Sequence, residues 1–201
     1  MVSVVSKMLK KKNNSNKTAL RAELKKARNN LEPSYVSEAS KLICQRIIKS
    51  SLYENAKVIL AYLAFGKEVK CDELIRKALD DGKTVCVPFI VDNEHFLAAR
   101  LNSLENFDLD RYGIRTVKEP ISEINQEDID LVLVPGLAFG NDGSRIGMGA
   151  GYYDRFLANS KAITLGLAYK KLMQESIPVD EHDVFVQNLV NEEDLWSIKN
   201  I

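Results

Sequence analysis

The chain has 201 residues, 45% hydrophobic and 28% charged, and its 28 Lys and Arg balance 28 Asp and Glu to a formal net charge of zero. That length buries one sizeable core, the neutral balance argues against a general nucleic-acid binder, and no apolar run approaches the ~18 residues of a membrane span. Cys44, Cys71 and Cys86 are odd in number and match neither a zinc site nor a disulfide framework, so they read as idle thiols in a reducing, cytoplasmic compartment.

Residues 1–16 hold lysines and asparagines but no hydrophobic core for a secretion signal, and read as a flexible basic tail. Residues 17–201 read as a single domain. From Lys17 to Leu31, Leu20, Leu24, Ala27 and Leu31 recur at helical steps and predict one buried stripe, with Lys17, Arg21, Lys25 and Arg28 on an adjacent one. After Pro33, with Ser34 as the expected cap, Val36, Ala39, Ile43 and Ile47 predict a second helix. Val58 to Leu63 predicts a strand, Asp72 to Asp81 a helix closed by Gly82, and Thr84 to Val87 the next strand. The pattern is weak over residues 94–129, where His95 to Leu101 reads as a strand and Asp108 to Gly113 as a turn. Leu131 to Val134, Ile163 to Ala168 and Val184 to Val190 complete the strands. Strands alternating with helical patterns imply an α/β fold, with a largely parallel or mixed sheet and helices on both faces.

Charge is unevenly placed along this pattern. Residues 1–30 carry nine Lys or Arg against the single acid Glu23, whereas Glu175 to Ile198 holds seven acids and no Lys or Arg. If the two ends meet across a cleft, one suits an anionic phosphate and the other a divalent cation.

Six of the ten glycines lie between Gly136 and Gly151, after the strand Leu131 to Val134 and before a predicted helix, Tyr152 to Leu157. Bare backbone between a strand and a helix lets amide N–H groups approach a phosphate, and Arg145 adds a forked cation. There is no G-x-x-x-x-G-K-[ST], and Gly147 to Gly151 lacks dinucleotide-fingerprint spacing.

Gly143-Ser-Arg-Ile-Gly-Met-Gly-Ala-Gly-Tyr-Tyr-Asp-Arg-Phe-Leu157, preceded by Pro135-Gly-Leu-Ala-Phe139, resembles the signature of the 5-formyltetrahydrofolate cyclo-ligases, also called methenyltetrahydrofolate synthetases. Lys17-Thr-Ala-Leu-Arg21 is similar to the family's N-terminal Lys-x-x-x-Arg, and Leu63 to Glu68 falls where its folate-contacting segment lies. Gly113-Ile and Glu119-Pro120 echo its middle, and Ile177-Pro-Val-Asp-Glu-His-Asp183 its late acidic segment. The resemblance implies an ATP- and magnesium-dependent closure of 5-formyltetrahydrofolate to 5,10-methenyltetrahydrofolate through an iminium phosphate. It also implies a fold akin to the sugar-phosphate isomerase and CoA-transferase group, small-molecule partners only, and by default a monomer.

Residue by residue, the resemblance implies an ATP site from Lys17, Thr18, Ala19, Leu20 and Arg21 together with Arg145, Ile146, Gly147, Met148, Gly149, Ala150, Gly151, Tyr152 and Tyr153. Lys17, Arg145 and Tyr152 would carry catalysis. Leu63, Glu68, Met148 and Tyr152 would bind the reduced folate, and Asp154 and Asp183 would hold magnesium. His182 and His95 are left without a role. The chain departs from the family pattern at Gly140, commonly an aspartate for which Asp142 is the candidate substitute, and at Met148, Ala150 and Leu172. Two alternatives stay open: a sugar-phosphate isomerase of similar fold, and a folate-binding protein in which these departures have abolished turnover.

Overall fold

Short apolar runs such as Leu131–Val134, too short for a buried helix and rich in Val and Leu, become strands covered on both faces. The computed structural model describes the backbone of residues 2–105, 107–110 and 113–199, and side chains from residue 16 onward. In chain order the elements are α1 (Val2–Asn29), α2 (Pro33–Ile48), α3 (Ser51–Asn55), β1 (Val58–Leu60), α4 (Asp72–Asp80), β2 (Thr84–Ile90), β3 (Phe96–Arg100), β4 (Asp108–Leu109), β5 (Arg115–Thr116), β6 (Glu123–Ile124), β7 (Leu131–Val134), β8 (Ala138–Phe139), β9 (Arg145–Ile146), α5 (Tyr152–Leu157), β10 (Ile163–Leu167), β11 (Asn188–Val190) and β12 (Leu195–Ser197). The side chains of the expected tail, residues 1–16, lie outside the described residues except for Asn16.

Eight strands make one mixed sheet in the order β12-β11-β10-β7-β1-β2-β3-β6. The five from β11 to β2 run parallel, and β12, β3 and β6 add antiparallel edges. Along β7 the side chains alternate between the two faces: Leu131 and Leu133 pack into the core formed with α1, α2 and α4, whereas Val132 and Val134 pack toward α5. Helices therefore cover both faces, as the alternation implied. The edge strand β12 carries Trp196, the single tryptophan. No helix among the described residues is long and apolar enough to cross a membrane.

Several elements differ from the sequence reading, each for a local reason. On α1 the inward face runs through Lys17, Leu24, Arg28 and the following Leu31, while Ala27, expected inside, is exposed. Helix α2 begins with Glu32 at the cap position and Pro33 in the first turn, so Ser34 is already helical. The five-residue α3, which carries too little periodicity to register, starts where the Ser50 hydroxyl accepts the Tyr53 N–H. Strand β1 stops at Leu60. Strand β2 continues through Pro88: Cys86 turns its carbonyl toward the β1 side, where it accepts the Ala61 N–H, so Pro88 two residues on faces that side after β1 has ended and removes no ladder bond. Residues 184–187 fail to join β11 because their donors go elsewhere, Val184 N–H to the Asp154 carboxylate and Val186 N–H to the Gly143 carbonyl.

Packing leaves no room for a side chain where β10 meets β8. A Cβ built on Gly166 would stand 2.5 Å from a Phe139 ring carbon and 2.8 Å from a Leu189 methyl. Gly166→Ala is expected to destabilise the chain by about 1–3 kcal/mol, read from the urea midpoint. Burial pushes the Cys44 and Cys86 thiols up to about 12 and the Cys71 thiol well above its usual value. A thiolate-specific reagent at pH 8 should therefore label none of the three in the native protein and all three in denaturant.

Candidate active site

The longest glycine-rich stretch is held as a hairpin rather than an open loop. Strands β8 and β9 pair Ala138 with Ile146 and Phe139 with Arg145, and the turn between them is locked by Asp142, whose carboxylate accepts the Ser144 N–H at 3.0 Å. Asp142 is exposed at this tip and does not line the cavity described below, so it does not stand in for a side chain at Gly140. A Cβ at Gly140 would itself stand 2.4 Å from both Asp142 Oδ1 and Ser144 Oγ, so the tight turn and the bare residue belong together. After β9 the chain passes Gly149 and Gly151, with φ of 103° and 72°, and enters α5. Such angles suit glycine and leave the intervening amides free of secondary structure.

This segment floors a cavity of about 450 Å³. Lys17, Arg21, Leu63, Glu68, Arg145, every residue from Ile146 to Asp154, and Asp183 all line it. Thr18, Ala19 and Leu20 do not: Thr18 and Ala19 are exposed on α1, and Leu20 packs against the core.

The basic start and the acidic end of the chain do meet here. Lys17 Nζ is buried and donates to Asp180 at 2.9 Å and to Asp183. One turn along α1, Arg21 Nε donates to the Gly147 carbonyl at 3.0 Å. Arg145 donates to Asp154 at 2.8 Å and to the Pro135 carbonyl at 3.4 Å. Both expected metal ligands are thus neutralised by a cation, and among the described residues no group of three or more His, Cys, Asp or Glu is arranged for a metal ion. Tyr152 lines the cavity, but its hydroxyl donates outward to the Asp92 carbonyl at 2.9 Å, and Arg155 donates to the Glu94 carbonyl at 2.6 Å, tying the β2–β3 turn to α5.

The cavity also has an apolar lining. Leu63, Val87, Pro88, Ile90 and Phe96 contribute to it together with Tyr62, and Asp110, Arg115 and Thr116 add polar groups. Because β1 ends at Leu60, the chain leaves the sheet in time for Leu63 to face this space. Glu68 lines it too; its carboxylate accepts the Phe65 N–H at 3.0 Å and the Arg28 guanidinium at 3.4 Å. Phe65 and Met148 stay largely exposed.

Arg28, Asp180 and the Val87 to Phe96 wall were missed from sequence. For Arg28 a signal existed: it lies seven residues, two turns, beyond Arg21 and so shares its face. Of the wall, only Phe96 comes from the stretch whose pattern was weak; Val87 ends the predicted strand, and Pro88 and Ile90 lie in its unpredicted extension.

The model of the 5-formyltetrahydrofolate cyclo-ligase family matches residues 13–192. The 5-formyltetrahydrofolate cyclo-ligase of Mus musculus is 32% identical over 195 residues, covering 90% of this chain and 95% of its own. That of Saccharomyces cerevisiae is 30% identical over 198 residues, covering 87% and 94%. The structure of Aquifex aeolicus 5,10-methenyltetrahydrofolate synthetase superposes with a TM-score of 0.82 at 29% identity, covering 92% of this chain and 93% of that one.

Arg28 and Glu68 are both well shielded, with side chains 7% and 17% exposed. Arg28→Ala would leave the Glu68 charge uncompensated and is expected to lower stability by about 3 kcal/mol. An Arg28→Met, Glu68→Gln double variant should regain more than half of that loss in the same urea titration.

Proposed function

The chain belongs to the 5-formyltetrahydrofolate cyclo-ligase family, and from that premise we propose that its cavity closes 5-formyltetrahydrofolate to 5,10-methenyltetrahydrofolate with ATP and Mg²⁺, releasing ADP and phosphate. The observation that carries this reading is one cavity with two chemical kinds of lining, the cations Lys17, Arg21 and Arg145 and the set Leu63, Glu68, Val87 and Phe96. The first suits a triphosphate and the second a reduced pteridine.

The chemistry explains the need for both. A formamide oxygen is a poor leaving group. Its attack on the γ-phosphorus, with departure of ADP, converts it into a phosphate ester on an iminium carbon. The N10 nitrogen then bonds to that carbon, phosphate leaves with the C–O electron pair, and the N10 proton is lost. Such a sequence asks for in-line placement and charge neutralisation more than for a protein nucleophile.

Lys17, Arg21 and Arg145 would supply the positive charge, and the amides between Gly147 and Tyr153 would add donors. Asp154 and Asp183 are hard oxygen donors on the same wall and fit Mg²⁺, which takes one or two carboxylates and completes its shell with phosphate oxygens and water. When bound, the ion would draw charge from the transferring phosphoryl group. Phosphate would offer Lys17 and Arg145 anionic partners in place of Asp183 and Asp154. Glu68 would accept from the amidine-like N–H edge of the pterin, Leu63 would form the apolar wall, and Tyr152 and Met148 would close over it.

Purified protein given ATP, Mg²⁺ and 5-formyltetrahydrofolate is expected to develop the methenyl absorbance, and omission of either ATP or Mg²⁺ should abolish it. Arg145→Ala is expected to lower kcat/KM for ATP by about 100-fold or more with the circular dichroism unchanged. Wild-type turnover in that variant would remove Arg145 from the reaction.

A further inference from the structure

Tyr153, the second residue of α5, holds the one tyrosine hydroxyl among the described residues that is buried without a hydrogen-bond partner. The contrast with its fellows is sharp. Tyr35 bonds Glu192, Tyr53 bonds Asp81, Tyr62 bonds the Val69 carbonyl, Tyr152 bonds the Asp92 carbonyl, and Tyr169 bonds Ser40 and the Glu68 carbonyl. A hydroxyl removed from water with nothing in exchange costs about 1–3 kcal/mol, and native proteins seldom retain such a group without a use for it.

The surroundings say what the use is. Tyr153 lines the cavity, its ring packed 5.4 Å from that of Phe96 in the apolar lining, with the Arg145 guanidinium 5.8 Å from its ring centre. Glu68 lines the same cavity as Tyr153. A phenol keeps its proton at neutral pH, so the group is a donor. Lys17 and Arg21, the phosphate-binding candidates of α1, make their contacts at Asp180, Asp183 and Gly147 instead.

We propose that the Tyr153 hydroxyl donates a hydrogen bond to the ring carbonyl of the reduced pteridine, beside the N–H edge that Glu68 accepts. The donor and the acceptor then read adjacent positions of one heterocycle, an acceptor next to donors, and distinguish it from a ring without that alternation. This rests on the reading of the apolar lining as the folate site and deepens it: Tyr153 becomes a specificity residue through its side chain, apart from any contact that its backbone makes with nucleotide.

Tyr153→Phe removes one oxygen and keeps the ring against Phe96. Its expected signature is a rise of about tenfold in the KM and calorimetric Kd for 5-formyltetrahydrofolate, equivalent to about 1.4 kcal/mol, with the KM for ATP within twofold of wild type. Its melting temperature without ligand should equal or exceed that of wild type, since an orphaned group has gone. A structural role for the hydroxyl would instead lower it. Unchanged folate affinity, or equal losses for folate and ATP, would overturn the proposal. Calorimetry separates it from the wider reading, because folate binding needs no turnover. A wild-type protein that forms no methenyl product but loses folate affinity on Tyr153→Phe would sustain Tyr153 and sink the reaction; a wild-type protein that turns over while Tyr153→Phe binds folate normally would do the reverse.

Discussion

Three cations on the inner face of α1 govern how the rest of the chain is arranged. Lys17, Arg21 and Arg28 recur at steps of four and seven residues and all turn away from bulk water, two of them to about 5% exposure. A cation taken out of water is costly unless it finds an anion or a carbonyl with good geometry. Each of the three is answered by a different piece of the chain: Lys17 by the acids at 180 and 183, Arg21 by the Gly147 carbonyl, Arg28 by Glu68. Those pieces are the acidic segment, the glycine segment and the loop that carries Glu68. One helix thereby draws together three of the segments that line the cavity, which makes the docking of α1 a condition for the cavity's shape. A basic face that looks solvated in isolation is here the organising element, and this is why Ala27, apolar but on the wrong side of the helix, is left outside.

Much of the sheet was legible because strands covered on both faces are written as short apolar runs, and Leu131 to Val134 is such a run. The helix Tyr152 to Leu157 was legible from its boundaries, and the glycine cluster pointed to the cavity because bare backbone concentrated at a strand end has few other uses. What sequence could not show was set by contacts between distant residues. The length of β1 and β2 depends on where each neighbour stops. Residues 184–187 look like strand but give their N–H groups to Asp154 and Gly143, partners 30 and more residues away. Thr18, Ala19 and Leu20 sit between two site residues in sequence, yet helical geometry turns them elsewhere. The apolar wall from Val87 to Phe96 is ordinary core composition until the fold opens a cavity against it.

The cavity also brings two kinds of lining together. Its cations Lys17, Arg21 and Arg145 are on long side chains that already hold protein partners. Its apolar residues Val87, Pro88, Ile90 and Phe96 are short of such freedom, being fixed by β2 and β3. Two polar side chains in the lining differ in state: Glu68 is held by Arg28 and the Phe65 amide, whereas the Tyr153 hydroxyl has no partner.

The placement of Trp196 on β12 has a practical bearing. Five strand spacings separate β12 from β2, roughly 24 Å at about 4.8 Å each, whereas Tyr62, Tyr152 and Tyr153 stand around the cavity. Indole emission will thus report from the β12 margin of the sheet, by a fluorophore that was never introduced.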